Sequence, residues 1–183
     1  GDQLTRSLVG NSLPRIGEGW NNNGLTQKQV DAYYMADGTD TPGKDLEIGR
    51  NKDGTQRLTG FTTVENVAGG RYKPLPAGVS LQYADREPRF YASVAYNGSI
   101  WNLENSEKEK EKNHQVFYYR GNENGYTNNL FWVRTGIGVK KFVHPNDTRQ
   151  GGSDAKIVPK LEPAIRYADI LLMYAEALNE LSA

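Results

Sequence analysis

The 183-residue chain contains no cysteine, which excludes disulfide scaffolds, thiolate metal sites and thiol catalysis, and leaves the redox compartment open. Neither sign of charge is in excess. With 22 Lys+Arg against 22 Asp+Glu, whole-chain electrostatics give no reason to expect nucleic acid or anionic lipid as a partner. Apolar residues make up only 37% of the chain and the mean hydropathy is −0.72, so the supply for a core is thin although the length suits one domain. The longest mostly apolar run, Ile165 to Leu181, is broken by Arg166, Asp169, Glu176 and Glu180 and does not read as a membrane span. No charged segment followed by an apolar one opens the chain, so a mature or trimmed polypeptide is expected.

Catalytic motifs are equally scarce. The two imidazoles, His114 and His144, lie in loop-like surroundings, with no Gly-x-Ser-x-Gly elbow and no His-Glu-x-x-His pair. Gly136-Ile137-Gly138 is too short for a dinucleotide loop, and Asn51-Lys52-Asp53-Gly54 holds only a fragment of a calcium-loop pattern. No cofactor and no metal are expected. A glycosidase needs two carboxylates flanking the bond. Asp31, Asp37, Asp85, Glu87 and Glu123 are candidates, but sequence spacing pairs none of them.

What the chain does have is 11 Tyr, 5 Phe and 3 Trp, set among 20 Gly and the run Asn21-Asn22-Asn23. Loops that carry Trp, Tyr and Asn suggest a recognition surface. Residues 1–24, with Gly10, Pro14, Gly17, Gly19 and Gly24, read as irregular chain. Thr26 and Gln29 have capping-box spacing, and Val30, Tyr33 and Tyr34 share a face, so a helix is expected near 26–35. Asn51 to Gly54 suits a hairpin turn. Phe90 to Tyr96, aromatic and β-branched and ending at Asn97-Gly98, reads as a strand, as does Gly138 to Val143. The near-alternating charges from Glu104 to Lys112 read as a solvated segment without a site.

The last element is the most informative. Pro163 suits a first helical position, and Ala164 to Leu181 has few helix breakers. At about 100° per residue, Arg166, Asp169, Met173, Glu176 and Glu180 form one stripe of roughly 80°. The remaining circumference is mostly apolar: Ile165, Ile170, Leu171, Leu172, Tyr174, Leu178 and Leu181 are spread around it. Such a helix needs neighbours on several sides, and the expectation is that they belong to chain outside these 183 residues.

Pro163 to Glu180, which reads Pro-Ala-Ile-Arg-Tyr-Ala-Asp-Ile-Leu-Leu-Met-Tyr-Ala-Glu-Ala-Leu-Asn-Glu, resembles the signature helix of the SusD/RagB family of outer-membrane nutrient-binding lipoproteins. Three further stretches agree in order: Thr26-Gln27 with Val30 to Tyr33 and Met35 to Gly38; Arg86 to Val94 with Asn97-Gly98 and Trp101; and Gly138 to Phe142. The resemblance implies a mainly α family fold built on tetratricopeptide-type helix pairs, with this stretch itself mixed α+β and rich in irregular loop. It implies a single SusD-like fragment, in which 1–163 is a loop-rich ligand-side region and 164–181 the first helix of a pair. Family members are longer and begin with a lipidated Cys after a signal peptide.

The function so implied is non-catalytic capture of oligosaccharides on the outer face of the outer membrane. Delivery would be to a SusC-like TonB-dependent transporter, with membrane association through a lipid anchor outside this fragment. Alternatives are capture of peptides or glycopeptides as on the RagB side of the family, a purely structural role in docking onto the transporter, or a glycoside hydrolase. Sugars lay apolar C–H faces on aromatic rings and take hydrogen bonds from amides. On that chemistry the candidate ligand residues are Trp101, after the Asn97-Gly98 turn; Asn97 itself; Trp20, beside Asn21 to Asn23; and Tyr126, after Gly125. Trp132, within Leu130 to Val133, is expected in the core, and Tyr72 is a further loop ring. Arg86, Arg89, Arg166 and Asp169 are expected to serve the scaffold.

Overall fold

A computed structural model describes residues 2–44, 56–127, 130–161 and 163–182. The proposed hairpin and calcium-loop fragment at Asn51 to Gly54 lie outside the described residues. The opening segment is not irregular: Asp2–Ser12 forms helix α1. Thr5, Val9, Ser12 and Leu13 recur at helical spacing and are all buried, a stripe that the glycines obscured. Pro14 then stops the helix, and the chain doubles back along its end. The N–H groups of Trp20, Asn21, Asn22 and Asn23 donate to the carbonyls of Gly10, Leu13, Asn11 and Asn11 at 2.7–3.1 Å. The returning segment thereby satisfies carbonyls that a helix C-terminus leaves without partners. Gly19 permits this approach, since a Cβ there would stand 2.1 Å from the Leu13 oxygen.

Helix α2 (Gln27–Asp31) starts where expected, with the Thr26 hydroxyl accepting from the Gln29 N–H at 3.3 Å. It ends early. The Arg86 guanidinium donates to the carbonyls of Val30 (2.6 Å) and Tyr33 (2.8 Å), so a buried cation takes over at the helix end. Helix α3 (Val64–Ala68) carries a reciprocal capping box between Thr63 and Asn66.

The expected strand at Phe90 to Tyr96 is replaced by helix α4 (Pro88–Ser93), followed by the two-residue strand β1 (Val94–Ala95). Pro88 at the first turn loses no hydrogen bond there and its φ suits a helix, which outweighs the β propensity of the aromatic run. The helical turn carries Phe90 into a ring cluster with Tyr33, Tyr83, Tyr91 and Tyr96, at centroid distances of 5.1–6.0 Å. Arg86 lies over the Phe90 ring at 4.6 Å.

Strand β2 (Ser99–Trp101) pairs antiparallel with β3 (His114–Val116), and β1 with β4 (Gly138–Val139). The expected strand at 138–143 is thus only two residues long, because Lys140 to Val143 turns back, the Val143 N–H donating to the Lys140 carbonyl at 2.8 Å. Alternation along β1 divides the core. Val94 joins Val30, Val79, Tyr83, Phe90 and Tyr96, while Ala95 joins Val9, Leu13, Trp101, Val116 and Tyr118. The charged segment 104–112 is mostly exposed, as expected.

Helix α5 (Tyr167–Ser182) begins three residues later than its apolar pattern, where Asp169 accepts from the Arg166 N–H at 3.0 Å. The expected i,i+3 pair of these residues is present at 3.9 Å. Its apolar circumference is uncovered: Leu172 is 70% and Tyr174 62% exposed. Among the described residues, no helix is long and apolar enough to cross a membrane. Short helices, two small sheets and long irregular connections make the observed architecture mixed α+β.

Candidate functional site

A ring can take a ligand only on a face that the protein leaves open. Trp101 is 3% exposed; its indole N–H donates to the Tyr118 hydroxyl at 3.3 Å, and the Lys140 amine lies 5.3 Å from its ring centroid. It is placed as a core ring of β2. Asn97 is half-buried and its side-chain oxygen accepts from the Tyr118 N–H at 2.7 Å, tying the β1–β2 turn to the chain after β3.

Trp20 is half-buried, with the Arg149 guanidinium 4.2 Å from its ring centroid and Gly10 against its edge. Arg149 is itself buried and held by Asp154 at 2.5 Å, so it does not yield that face readily. The neighbouring amides are equally committed. Asn21 donates to the Asn124 carbonyl (2.7 Å), Asn22 to Asn11 (3.2 Å) and Asn23 to the Ser12 hydroxyl (2.9 Å).

Tyr126 is placed differently. It is 39% exposed and meets the half-buried Trp132 edge-to-face at 5.2 Å. Arg120 lies 5.8 Å from the Tyr126 centroid and Arg134 5.4 Å from that of Trp132, both guanidinium groups on exposed side chains. An exposed cation–π contact is worth only about 0.5–1 kcal/mol. Incoming ligand can therefore displace each guanidinium from its ring and still receive its N–H groups. Nearby, Arg15 lies 5.5 Å from the Phe131 ring centroid.

The loop bearing Tyr126 is stiffly anchored. The buried Asn124 accepts from the Arg15 N–H at 2.8 Å through its side chain, and from Asn21 through its carbonyl. Gly125 passes so close to Tyr119 that a Cβ would stand 2.0 Å from its carbonyl oxygen. Such anchoring lowers the ordering cost of holding a ring in place. Sequence reasoning put Trp132 in the core and missed Arg120 and Arg134. The signal for them was the basic residue close to each ring: Arg134 two residues after Trp132, and Arg120 at the base of the loop that carries Tyr126.

Three of the five carboxylate candidates are engaged elsewhere. Asp31 is buried and gripped at both oxygens by Arg57, at 2.6 and 2.5 Å. The Thr39 hydroxyl and N–H hold Asp37 below its ordinary range. At Glu87 desolvation is the largest single effect and raises the carboxyl, but the Tyr34 N–H, Arg89 and Arg86 together outweigh it and lower the carboxyl as well. A general acid requires the opposite direction. Among the described residues, no three of His, Asp and Glu converge as metal ligands. Arg86 and Arg89 serve the scaffold as expected, on backbone carbonyls and Glu87 respectively.

Over residues 3–183 the sequence matches the SusD family. No curated protein and no solved structure matches the chain.

Proposed function

The chain belongs to the SusD family, and from that premise we propose that it captures oligosaccharide nutrients without breaking a bond. The observation that carries this reading is the Tyr126–Trp132 ring pair at the surface, with Arg120 and Arg134 beside it. Two rings at an angle offer apolar faces to successive sugar units. The guanidinium groups donate to hydroxyl oxygens around them. Trp101, Asn97 and Trp20 are spent on contacts within the fold, with Tyr118, the Tyr118 N–H and Arg149 respectively.

In the cell, the protein would act on the outer face of the outer membrane through a lipid anchor and pass its ligand to a SusC-like TonB-dependent transporter. Residues 1–163 would form the ligand side. Helix α5 would be one member of a tetratricopeptide-type pair, a reading supported by its uncovered apolar circumference.

Titration of a panel of oligosaccharides against intrinsic Trp fluorescence tests the reading. Binding should be weakened at least ten-fold by Tyr126→Ala, read by the same fluorescence, and by Trp132→Ala, read by calorimetry because that variant lacks the reporting indole. A panel that gives no response, alongside a response to peptides, would transfer the function to peptide capture.

A further inference from the structure

Lys140 is a half-buried cation that the ring pair at Tyr126 does not use. It follows β4 directly, its N–H held by the Ser93 carbonyl at 2.9 Å. The side chain reaches across the Trp101 ring, and the amine donates to the Ile100 carbonyl at 2.5 Å. Ammonium carries three donors, and that carbonyl occupies one. Among the described residues, no Asp or Glu acts on its charge. Burial alone, with no opposing carboxylate, pushes its pKa down to about 8.

The amine borders a cavity of about 300 Å³ whose walls include Tyr91, Ile100, Trp101, Asn102 and Leu103. This is the lower end of the volume range of small-molecule sites, and large enough for one sugar ring. Tyr91 offers its ring rather than its hydroxyl, which donates to the Tyr83 carbonyl at 2.8 Å. Asn102 at the rim is exposed and bound to the Glu104 side chain at 3.1 Å, so Glu104 is the carboxylate that an incoming anion would meet on entry. A cation withdrawn from water without a counter-ion is costly, and an anion supplied by a ligand repays that cost.

The geometry points to a second binding site, separate from the ring pair, in which Lys140 receives the carboxylate of a small ligand lying against Tyr91 and Ile100. Two sources share that chemistry: the acid group of a uronic sugar and the side chain of an acidic peptide residue. The assay is calorimetric titration of the intact chain with glucuronate, with N-acetylglutamate, and with glucose as the uncharged control. Glucuronate should bind at least ten-fold more tightly than glucose. Lys140→Met should remove that preference, whereas Tyr126→Ala should leave it intact. Preference for N-acetylglutamate over glucuronate, lost in Lys140→Met, supports the site and names the peptide source.

Should Lys140→Met fail to fold, protection of the wild-type Lys140 amine from reductive methylation is read instead by peptide mass analysis. Either acid should slow its labelling at least three-fold while leaving Lys141 unaffected. Equal affinity for all three compounds, or unaltered labelling, overturns the site. Because the ring pair is left untouched by these measurements, its failure and the failure of this site are separately visible.

Discussion

Replacing Trp101 with alanine should unfold the protein rather than blind it. The indole is 3% exposed and contacts the cluster of Val9, Leu13, Leu103, Val116 and Tyr118. Burying a Trp removes about 150–250 Å² from water. At about 25 cal/mol per Å² this is worth roughly 4–6 kcal/mol, and Phe or Trp to Ala changes in cores cost about 3–5 kcal/mol. The variant also deprives the buried Tyr118 hydroxyl of its indole donor and Lys140 of the ring beneath it. Domains of this kind hold only about 5–15 kcal/mol in total, so a loss of this size consumes much of the margin. Trp132→Ala removes a half-buried ring whose partners are Tyr126 and Arg134, and should cost about 1–2 kcal/mol. Urea unfolding followed by far-ultraviolet circular dichroism separates the two, since it does not depend on the indole lost. The reasoning is refuted if Trp101→Ala keeps the wild-type midpoint, or if it abolishes glycan binding in a chain that remains fully folded.

Other outcomes follow from the same contacts. Gly125→Ala should cost about 2–3 kcal/mol and weaken ligand binding together with stability, because its Cβ would meet the Tyr119 carbonyl at 2.0 Å; paired unfolding and titration curves check this. Asp31→Ala should cost about 3–5 kcal/mol by leaving the Arg57 guanidinium without its carboxylate, read as a shift in urea midpoint. For pH, Lys140 is lowered in the fold from 10.5 to about 8, so between those values the unfolded chain binds more protons and stability rises with pH. At about 1.36 kcal/mol per unit the gain is roughly 3 kcal/mol, and below pH 8 the cost of the buried charge is fully present. Burial raises the phenols of Tyr83, Tyr91, Tyr96 and Tyr118, so their contribution is complete below about pH 10 and is lost as pH rises beyond it. Urea midpoints should therefore peak near pH 10, and Lys140→Met should flatten the ascending limb alone. A midpoint that falls steadily from pH 8 in both proteins would contradict this.

Much of the local order was legible because it depends on neighbours in sequence. Thr26 caps α2, the alternating charges of 104–112 stay in water, and Arg166 meets Asp169 one turn on. Two elements were misread for identifiable reasons. In α1 the glycines masked the stripe of Thr5, Val9 and Leu13. In α4 a proline at the first helical turn outweighed an aromatic run that favours a strand. The ring assignments turn on tertiary contacts. Trp101, Trp20 and Trp132 have similar claims in sequence, yet one is enclosed, one is covered by Arg149 and one stands at the surface beside Tyr126.

The ordered motifs pointed to the family, and the helical period showed α5 to be apolar around most of its circumference, since both are properties of residue order. Which rings face solvent, that Asn21 to Asn23 are spent on closing α1, and that Lys140 sits over Trp101 beside a cavity were decided only in three dimensions. Each of these depends on contacts between residues distant in the chain, and burial of one side chain is set by what the others leave open.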